Sequence, residues 1–122
     1  MTVGVVQTSV GTGHGASGNI GYIAGFSGTA FSWGRVIHPQ FTICSVTRYT
    51  GSKRGRILNG ADINWLHGHH AAHAGVAFYE GWKTPGNNNA LFADVEDWVV
   101  LCGKNVSIHL NPHSSCCCSD LR

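Results

Sequence analysis

The stretch Phe41-Thr42-Ile43-Cys44-Ser45-Val46-Thr47-Arg48-Tyr49 decides the fold class of this chain. It is dense in β-branched and aromatic residues, which favour strands, and Pro39 precedes it. Successive side chains of a strand point to opposite faces. Phe41, Ile43 and Ser45 would therefore share one face, while Thr42, Cys44 and Val46 would share the other.

Further short strands are predicted along the rest of the chain. Residues 1–9 are β-prone, and the later strands are predicted at 56–58, 63–67, 74–79, 97–102 and 106–110. Turns are predicted at Asn59-Gly60, at Pro85-Gly86 and at 103–105, and a Gly-rich loop at 11–18. No window repeats with a helical period over three turns. The pattern indicates an all-β domain of the meander or sandwich kind.

Composition excludes several classes of protein. Charged residues are 11% of the 122 residues, under half of the roughly 25% that is usual. Low charge with aromatic residues excludes a disordered chain, and glycine without a period of three excludes collagen. The three bases of Lys53-Arg54-Gly55-Arg56 are too few to indicate nucleic-acid binding. No apolar run approaches the roughly 20 residues of a spanning helix, and no signal peptide is visible.

A glycine motif near the N-terminus does not indicate a nucleotide cofactor. Gly13-His14-Gly15-Ala16-Ser17-Gly18 has the GxGxxG spacing, but the residues after it form helix poorly. The first acidic residue is Asp62, so the ribose-binding acid of the motif is missing. We expect no cofactor.

The five cysteines divide into two groups. Cys44 and Cys102 each lie in an apolar strand-like run, as two buried free thiols or as a disulfide. The adjacent residues of the Cys116-Cys117-Cys118 run cannot splay around a zinc ion as C-x-x-C pairs do. This run is predicted to lie in an exposed, oxidisable tail.

Histidines and tryptophans are the candidate binding residues. His67 and His69 share a face of an extended strand, and His73 could join them if the chain bends, which suits zinc, copper or nickel. The alternatives are imidazoles bonded to backbone and water, and an adventitious divalent metal. Flat aromatic faces beside amide and imidazole donors suit sugar rings. The predicted ligand-binding residues are Trp65, Trp82, Tyr79, Asn64, His67 and His69, and the alternative for each tryptophan is a place in the core or in a hydrophobic patch.

Four strand patterns together resemble the laminin-G-like and concanavalin A-like lectin and glucanase jelly rolls. They are Phe41-Thr42-Ile43-Cys44-Ser45-Val46, Gly55-Arg56-Ile57-Leu58, Gly75-Val76-Ala77-Phe78-Tyr79 and Asp97-Trp98-Val99-Val100-Leu101-Cys102. The resemblance spans residues 20–111 and implies a two-sheet antiparallel sandwich, an extracellular context and glycan or ligand binding. Asp94-Val95-Glu96-Asp97-Trp98 does not match the paired-acid strand of the glucanases, so no catalytic residue carries over.

We therefore expect an all-β, jelly-roll-type antiparallel two-sheet sandwich that is C-terminally incomplete. An N-terminal strand and Gly-rich loop (1–19) would precede the sandwich (20–111), and a disordered Cys-rich tail (112–122) would follow it. The expected function is non-catalytic binding of a glycan or an extracellular protein, with oligomerisation through open sheet edges. The alternatives are a glycoside hydrolase relic, with Asp94 and Glu96 as its acids, and a structural module of a larger extracellular protein. The sequon Asn105-Val106-Ser107 supports a secreted parent.

Overall fold

The structure, a computed structural model, describes residues 7–25, 28–89 and 94–105. Over these ranges it contains strands and turns and no helix, which confirms the all-β class. None of the described residues therefore forms a long apolar helix of the kind that crosses a membrane. The strands are β1 (Gln7–Gly13), β2 (Ala16–Ala24), β3 (Phe41–Thr47), β4 (Leu58–Asn59), β5 (Trp65–His70), β6 (His73–Tyr79) and β7 (Val99–Asn105).

The chain divides into two compact units, Met1–Val36 and Ile37–Arg122. The first contains the antiparallel hairpin of β1 and β2. The loop predicted at 11–18 is instead mostly strand, and β2 runs across the boundary expected after residue 19. Only His14 and Gly15 form the turn, and Gly13, His14 and Gly15 all have positive φ. Two glycines tolerate that conformation without a Cβ clash, so the chain reverses tightly and pairs on both sides.

The second unit packs two antiparallel sheets against each other in a sandwich-like arrangement. One sheet has the order β3-β7 and the other the order β4-β5-β6. Burial alternates along β3, as its sequence predicts. The turn predicted at 103–105 is absent, because those residues extend β7 until Asn105 pairs with Phe41. The jelly-roll connectivity stays an expectation, and the strand predicted at 106–110 and the tail lie outside the described residues.

The core lies between these two sheets. It consists of Trp65, Ala74, Ala77, Tyr79, Val99 and Leu101, with Phe41, Ile43 and Leu58 packed against it. The Trp65 and Tyr79 rings stack with centroids 5.4 Å apart. Phe41 meets Tyr79 edge-on at 5.0 Å. Aromatic rings bury much apolar area each, so a few of them fill the centre of a small unit.

Residues 81–89 cover the outer edge of β6 with side chains as well as backbone. The Lys83 N–H donates to the Ala77 carbonyl at 2.9 Å. The Ala77 N–H donates to Thr84 Oγ1 at 2.9 Å, and the Ala74 N–H donates to Asn89 Oδ1 at 2.8 Å. The Asn88 amide donates to the Gly75 carbonyl at 3.0 Å. These bonds satisfy the edge groups of β6 where a neighbouring strand would otherwise pair.

Cys44 and Cys102 form a disulfide across β3 and β7, which resolves the two alternatives left by the sequence. They are directly opposed in the ladder, with Cα atoms 4.1 Å apart. The free-thiol alternative placed both residues in the interior, whereas in the disulfide Cys44 is exposed and Cys102 half-buried. Because Ile43 and Ser45 occupy the inner face of β3, the alternation places Cys44 on the outer one.

Removing this disulfide should destabilise the second unit. The two cysteines are 58 residues apart, and closing a loop of that length in the unfolded chain corresponds to about 4 kcal/mol. We expect the double substitution Cys44→Ala and Cys102→Ala to lower the free energy of unfolding in urea by about that amount. Both proteins would carry Ser at positions 116–118 so that no other thiol exchanges.

Thr42→Ala, on the same exposed face of β3, is the control and should change stability by less than about 0.5 kcal/mol. Equal stability of the oxidised protein and the double variant would contradict this role of the disulfide.

Candidate functional site

A buried histidine, His67, connects the two sheets of the second unit. It lies on β5 and is fully buried. Its Nε2 lies 3.0 Å from the Leu101 carbonyl on β7, and its Nδ1 contacts the Tyr79 hydroxyl on β6. A carbonyl can only accept, so Nε2 carries the proton and Tyr79 donates to Nδ1. Both ring nitrogens are satisfied by a neutral imidazole, and burial lowers the pKa of His67.

His69, two residues further along β5, is equally buried but less completely bonded. Its Nδ1 lies 3.2 Å from Thr47 Oγ1 on β3. Its Nε2 has no hydrogen-bond partner among the described residues, and neither has Ser45 Oγ. Burial first, and the neighbouring His67 second, lower the pKa of His69 to about 4. The interior of the sandwich therefore holds both imidazoles in the neutral form at neutral pH.

The glycine between the two histidines is required by the backbone. Gly68 has a φ of 93°, and a Cβ there would lie 3.1 Å from Thr47 Oγ1. A register shift at Gly68/His69, where β5 pairs with β6, accompanies this conformation. The extra residue lies on β6, because Gly75 is left without a partner in the ladder. Beside this β-bulge, His69 lies against Thr47 and Tyr49.

Tyr49 closes the side of the interior next to His69. Its ring meets the His69 ring edge-on with centroids 4.6 Å apart. Its hydroxyl donates to the Gly55 carbonyl at 2.5 Å. Burial raises the pKa of Tyr49 to about 12, so this hydroxyl stays protonated and keeps donating. The bond ties the end of the β3 segment to the loop that leads to β4.

On the outside of the same unit, Trp82 is the most exposed Phe, Trp or Tyr residue among those of the unit that the structure describes. Its side chain is 48% exposed. Its ring meets Phe78 edge-on at 5.4 Å and lies 6.1 Å from the His70 ring. A Cβ on Gly86 would lie 3.1 Å from the indole, so the backbone presses directly against it. We call Trp82, His70 and Phe78 the Trp82 surface.

The six predicted ligand-binding residues do not come together in one place. Trp65, Tyr79, His67 and His69 are buried between the sheets, while Trp82 and Asn64 are exposed. Asn64 accepts a hydrogen bond from Arg56 at 2.8 Å. Of the six residues, only Trp82 and Asn64 therefore present a side chain to solvent.

The predicted metal ligands are divided in the same way. His67 and His69 use ring nitrogens inside the sandwich, whereas the His73 Nδ1 lies 3.0 Å from the Asn89 side-chain nitrogen. Within the described ranges no three side chains of the metal-binding types are grouped to hold an ion. Metal binding by this trio stays a prediction.

The acidic residues and the basic turn engage one another. Arg54 forms an ion pair with Glu96 at 2.5 Å, and Arg48 lies over the Trp98 ring at 5.4 Å. Asp94 accepts from the Glu96 N–H at 2.9 Å, and Asp97 accepts from the Asp94 N–H at 3.0 Å. The two carboxylates of the glycosidase alternative thus have structural contacts: Asp94 bonds within its own turn, and Glu96 is paired with Arg54.

Sequence reasoning missed the polar interior, although β3 carried a signal for it. Ser45 and Thr47 stand on the face that Phe41 and Ile43 turn toward the core. Polar side chains on a buried face need polar partners. His69 supplies one for Thr47, which the strand pattern of β5 alone does not reveal.

Comparison of the chain with protein-family models, with curated proteins and with solved structures finds no match. The likeness to lectin-type jelly rolls therefore remains an expectation from strand patterns.

The buried His69 should make folding stability depend on pH in the acid range. Its pKa is about 4 in the folded protein and 6.5 in an unperturbed histidine, so between these values the unfolded chain binds more protons. The contribution of His69 to the free energy of unfolding is fully present above pH 6.5 and falls by about 3 kcal/mol as the pH drops to 4. His67 adds to the loss in the same direction.

Urea unfolding at several pH values tests this dependence. His69→Gln should be less stable at pH 7.5 but should lose about 3 kcal/mol less than the wild type between pH 6.5 and 4. His38→Gln, at an exposed position of the same unit, should leave the wild-type slope unchanged. Parallel pH profiles for His69→Gln and the wild type would refute the assignment.

A methyl group on Gly103 should disturb the connection between the sheets. Gly103 is buried on β7, and a Cβ there would overlap the Tyr79 hydroxyl. The Tyr79–His67 bond must then move, so Gly103→Ala should destabilise by about 2 kcal/mol. Gly55→Ala, where a Cβ meets nothing within 4 Å, should be nearly neutral. Thermal unfolding compares the two, and equal midpoints would contradict the tight contact.

Proposed function

We propose that the second unit is a non-catalytic binding module that recognises carbohydrate through the Trp82 surface. The observation that carries this proposal is the half-exposed Trp82 indole, held between the Phe78 edge and the Gly86 backbone. A braced aromatic ring loses little conformational freedom when a ligand stacks on it.

The chemistry of the Trp82 surface suits a sugar ring. The C–H face of a pyranose packs on an indole, and its hydroxyls exchange hydrogen bonds with nearby polar groups. The His70 imidazole, 6.1 Å from the indole centroid, supplies such a group beside the ring. The resemblance to lectin-type jelly rolls supports the same class of ligand.

The acidic residues support binding rather than hydrolysis. A glycosidase keeps two carboxyl groups available, one on each side of the scissile bond. Asp94 accepts a backbone N–H, and Glu96 is paired with Arg54. Both carboxylates thus already have partners, which weighs against the hydrolase-relic alternative.

The disulfide supports an oxidising compartment for the protein. Disulfides persist in secreted and extracellular proteins and are rare where thiols are kept reduced. The exposed position of Cys44 leaves the bond open to reductants. An extracellular glycan is the ligand that fits this setting, and a structural module of an extracellular protein is the alternative if no glycan binds.

A glycan array followed by calorimetry tests the proposal. The strongest array ligand should shift tryptophan fluorescence of the wild type, and Trp82→Ala should bind it at least about tenfold more weakly, by analogy with loss of a stacking platform. Trp33→Ala, which removes a 65% exposed tryptophan from the first unit, is the matched control and should bind as the wild type does.

The outcomes separate the alternatives. No binding across a broad array would favour the structural module. Binding that survives in Trp82→Ala would place the ligand elsewhere and overturn the proposal. Release of reducing sugar from an oligosaccharide would point to the hydrolase alternative.

A further inference from the structure

The structure describes no third strand beside either edge of the β1–β2 hairpin of the first unit. The hairpin is a two-stranded sheet, so each strand has one neighbour among the described residues. The pairing from Gln7↔Ala24 to Gly11↔Ile20 is regular, and the register shift lies between Gly11 and Gly13, near the turn. An edge of this kind presents a row of unpaired N–H and C=O groups.

One face of the hairpin is also apolar and open. Val10 is opposite Gly21, and Ile23 stands two residues further along β2, so Val10 and Ile23 share a face. They are 70% and 64% exposed, and a Cβ on Gly21 would meet nothing within 4 Å. A two-stranded hairpin by itself is marginally stable in water, so it gains from further pairing.

The hairpin carries none of the charges that usually keep strand edges apart. Natural edge strands are protected by Lys, by Pro or by inward charges. Residues 1–34 contain no Lys, Arg, Asp, Glu or Pro, and every charged side chain of those types comes later in the chain. A second copy of the hairpin meets no like-charge repulsion, whereas a highly charged partner gains no ion pair from it.

We propose that the hairpin is a self-association surface, and that it pairs edge to edge with the hairpin of a second copy of this chain. Antiparallel pairing extends the two-stranded sheet and brings the Val10 and Ile23 side chains of the two copies onto one continuous face. The backbone N–H and C=O groups of the edge strands supply the affinity, and the uncharged apolar faces of two identical hairpins can pack side by side. The hairpin belongs to the first unit and the Trp82 surface to the second, and the self-association does not depend on the proposed function.

Sedimentation velocity tests the proposal on the full chain with Ser at positions 116–118, which prevents thiol-linked species. The wild type should associate reversibly as its concentration rises from about 1 to about 200 μM, the span of weak specific association. Val10→Lys with Ile23→Lys should weaken this association at least about tenfold, because the lysines of two copies would meet on one face. Val46→Lys, at a 58% exposed strand residue of the second unit, is the matched control and should associate as the wild type does.

Hydrogen exchange of the wild type gives a second measurement that needs no variant. Amides of β1 and β2 should exchange more slowly at high concentration, while amides of β5 and β6 should not change. A wild type that stays monomeric over the whole range overturns the proposal. So does association that survives both lysines, that Val46→Lys weakens equally, or that leaves hairpin exchange unchanged.

Discussion

The imidazole of His67 is the contact on which the second unit depends. It accepts from Tyr79 on one sheet and donates to the Leu101 carbonyl on the other. The groups in both bonds are buried, and leaving a buried polar group without its hydrogen bond costs about 1–3 kcal/mol of folding stability. The two sheets are therefore held at one spacing and one register by directional bonds as well as by apolar packing. Apolar contact alone is not directional and would allow the sheets to slide.

Close approach of the sheets follows from that contact. The Tyr79 hydroxyl reaches His67 only where β7 offers no side chain in the way, and Gly103 meets this condition. Gly68 on β5 likewise leaves room for a side chain of the facing sheet, because a Cβ there would lie against Thr47 of β3. Glycine therefore interrupts two strands that are otherwise dense in larger residues. The Tyr79 hydroxyl occupies the space that a Cβ at Gly103 would need, and the Thr47 side chain occupies the space that a Cβ at Gly68 would need.

The aromatic residues of the second unit lie in two different environments, the core between the sheets and the outer surface. Trp65 and Tyr79 stack inside and provide core area, which leaves them unavailable to a ligand. Trp82 lies just beyond β6, on the segment that covers its edge, and keeps about half of its side chain in solvent. The edge-covering segment thus blocks pairing at β6 and also contributes Trp82 to the Trp82 surface. The hairpin of the first unit has no such cover among the described residues.

Local sequence determined the class of this protein and the faces of β3, because β-branched density and strict alternation act within a few residues. The alternation of Phe41 and Ile43 with Thr42 and Cys44 predicted which residues share a face, and the alternating burial along β3 agrees with it. Local signals failed where the outcome depended on a distant strand. The Gly-rich stretch at 11–18 is strand because β1 finds β2, and 103–105 is strand because β7 finds β3. The pairing of Cys44 with Cys102 and the burial of His67 and His69 were likewise decided by tertiary structure. Each requires two segments far apart in the chain to meet in one register, and no short pattern specifies that register.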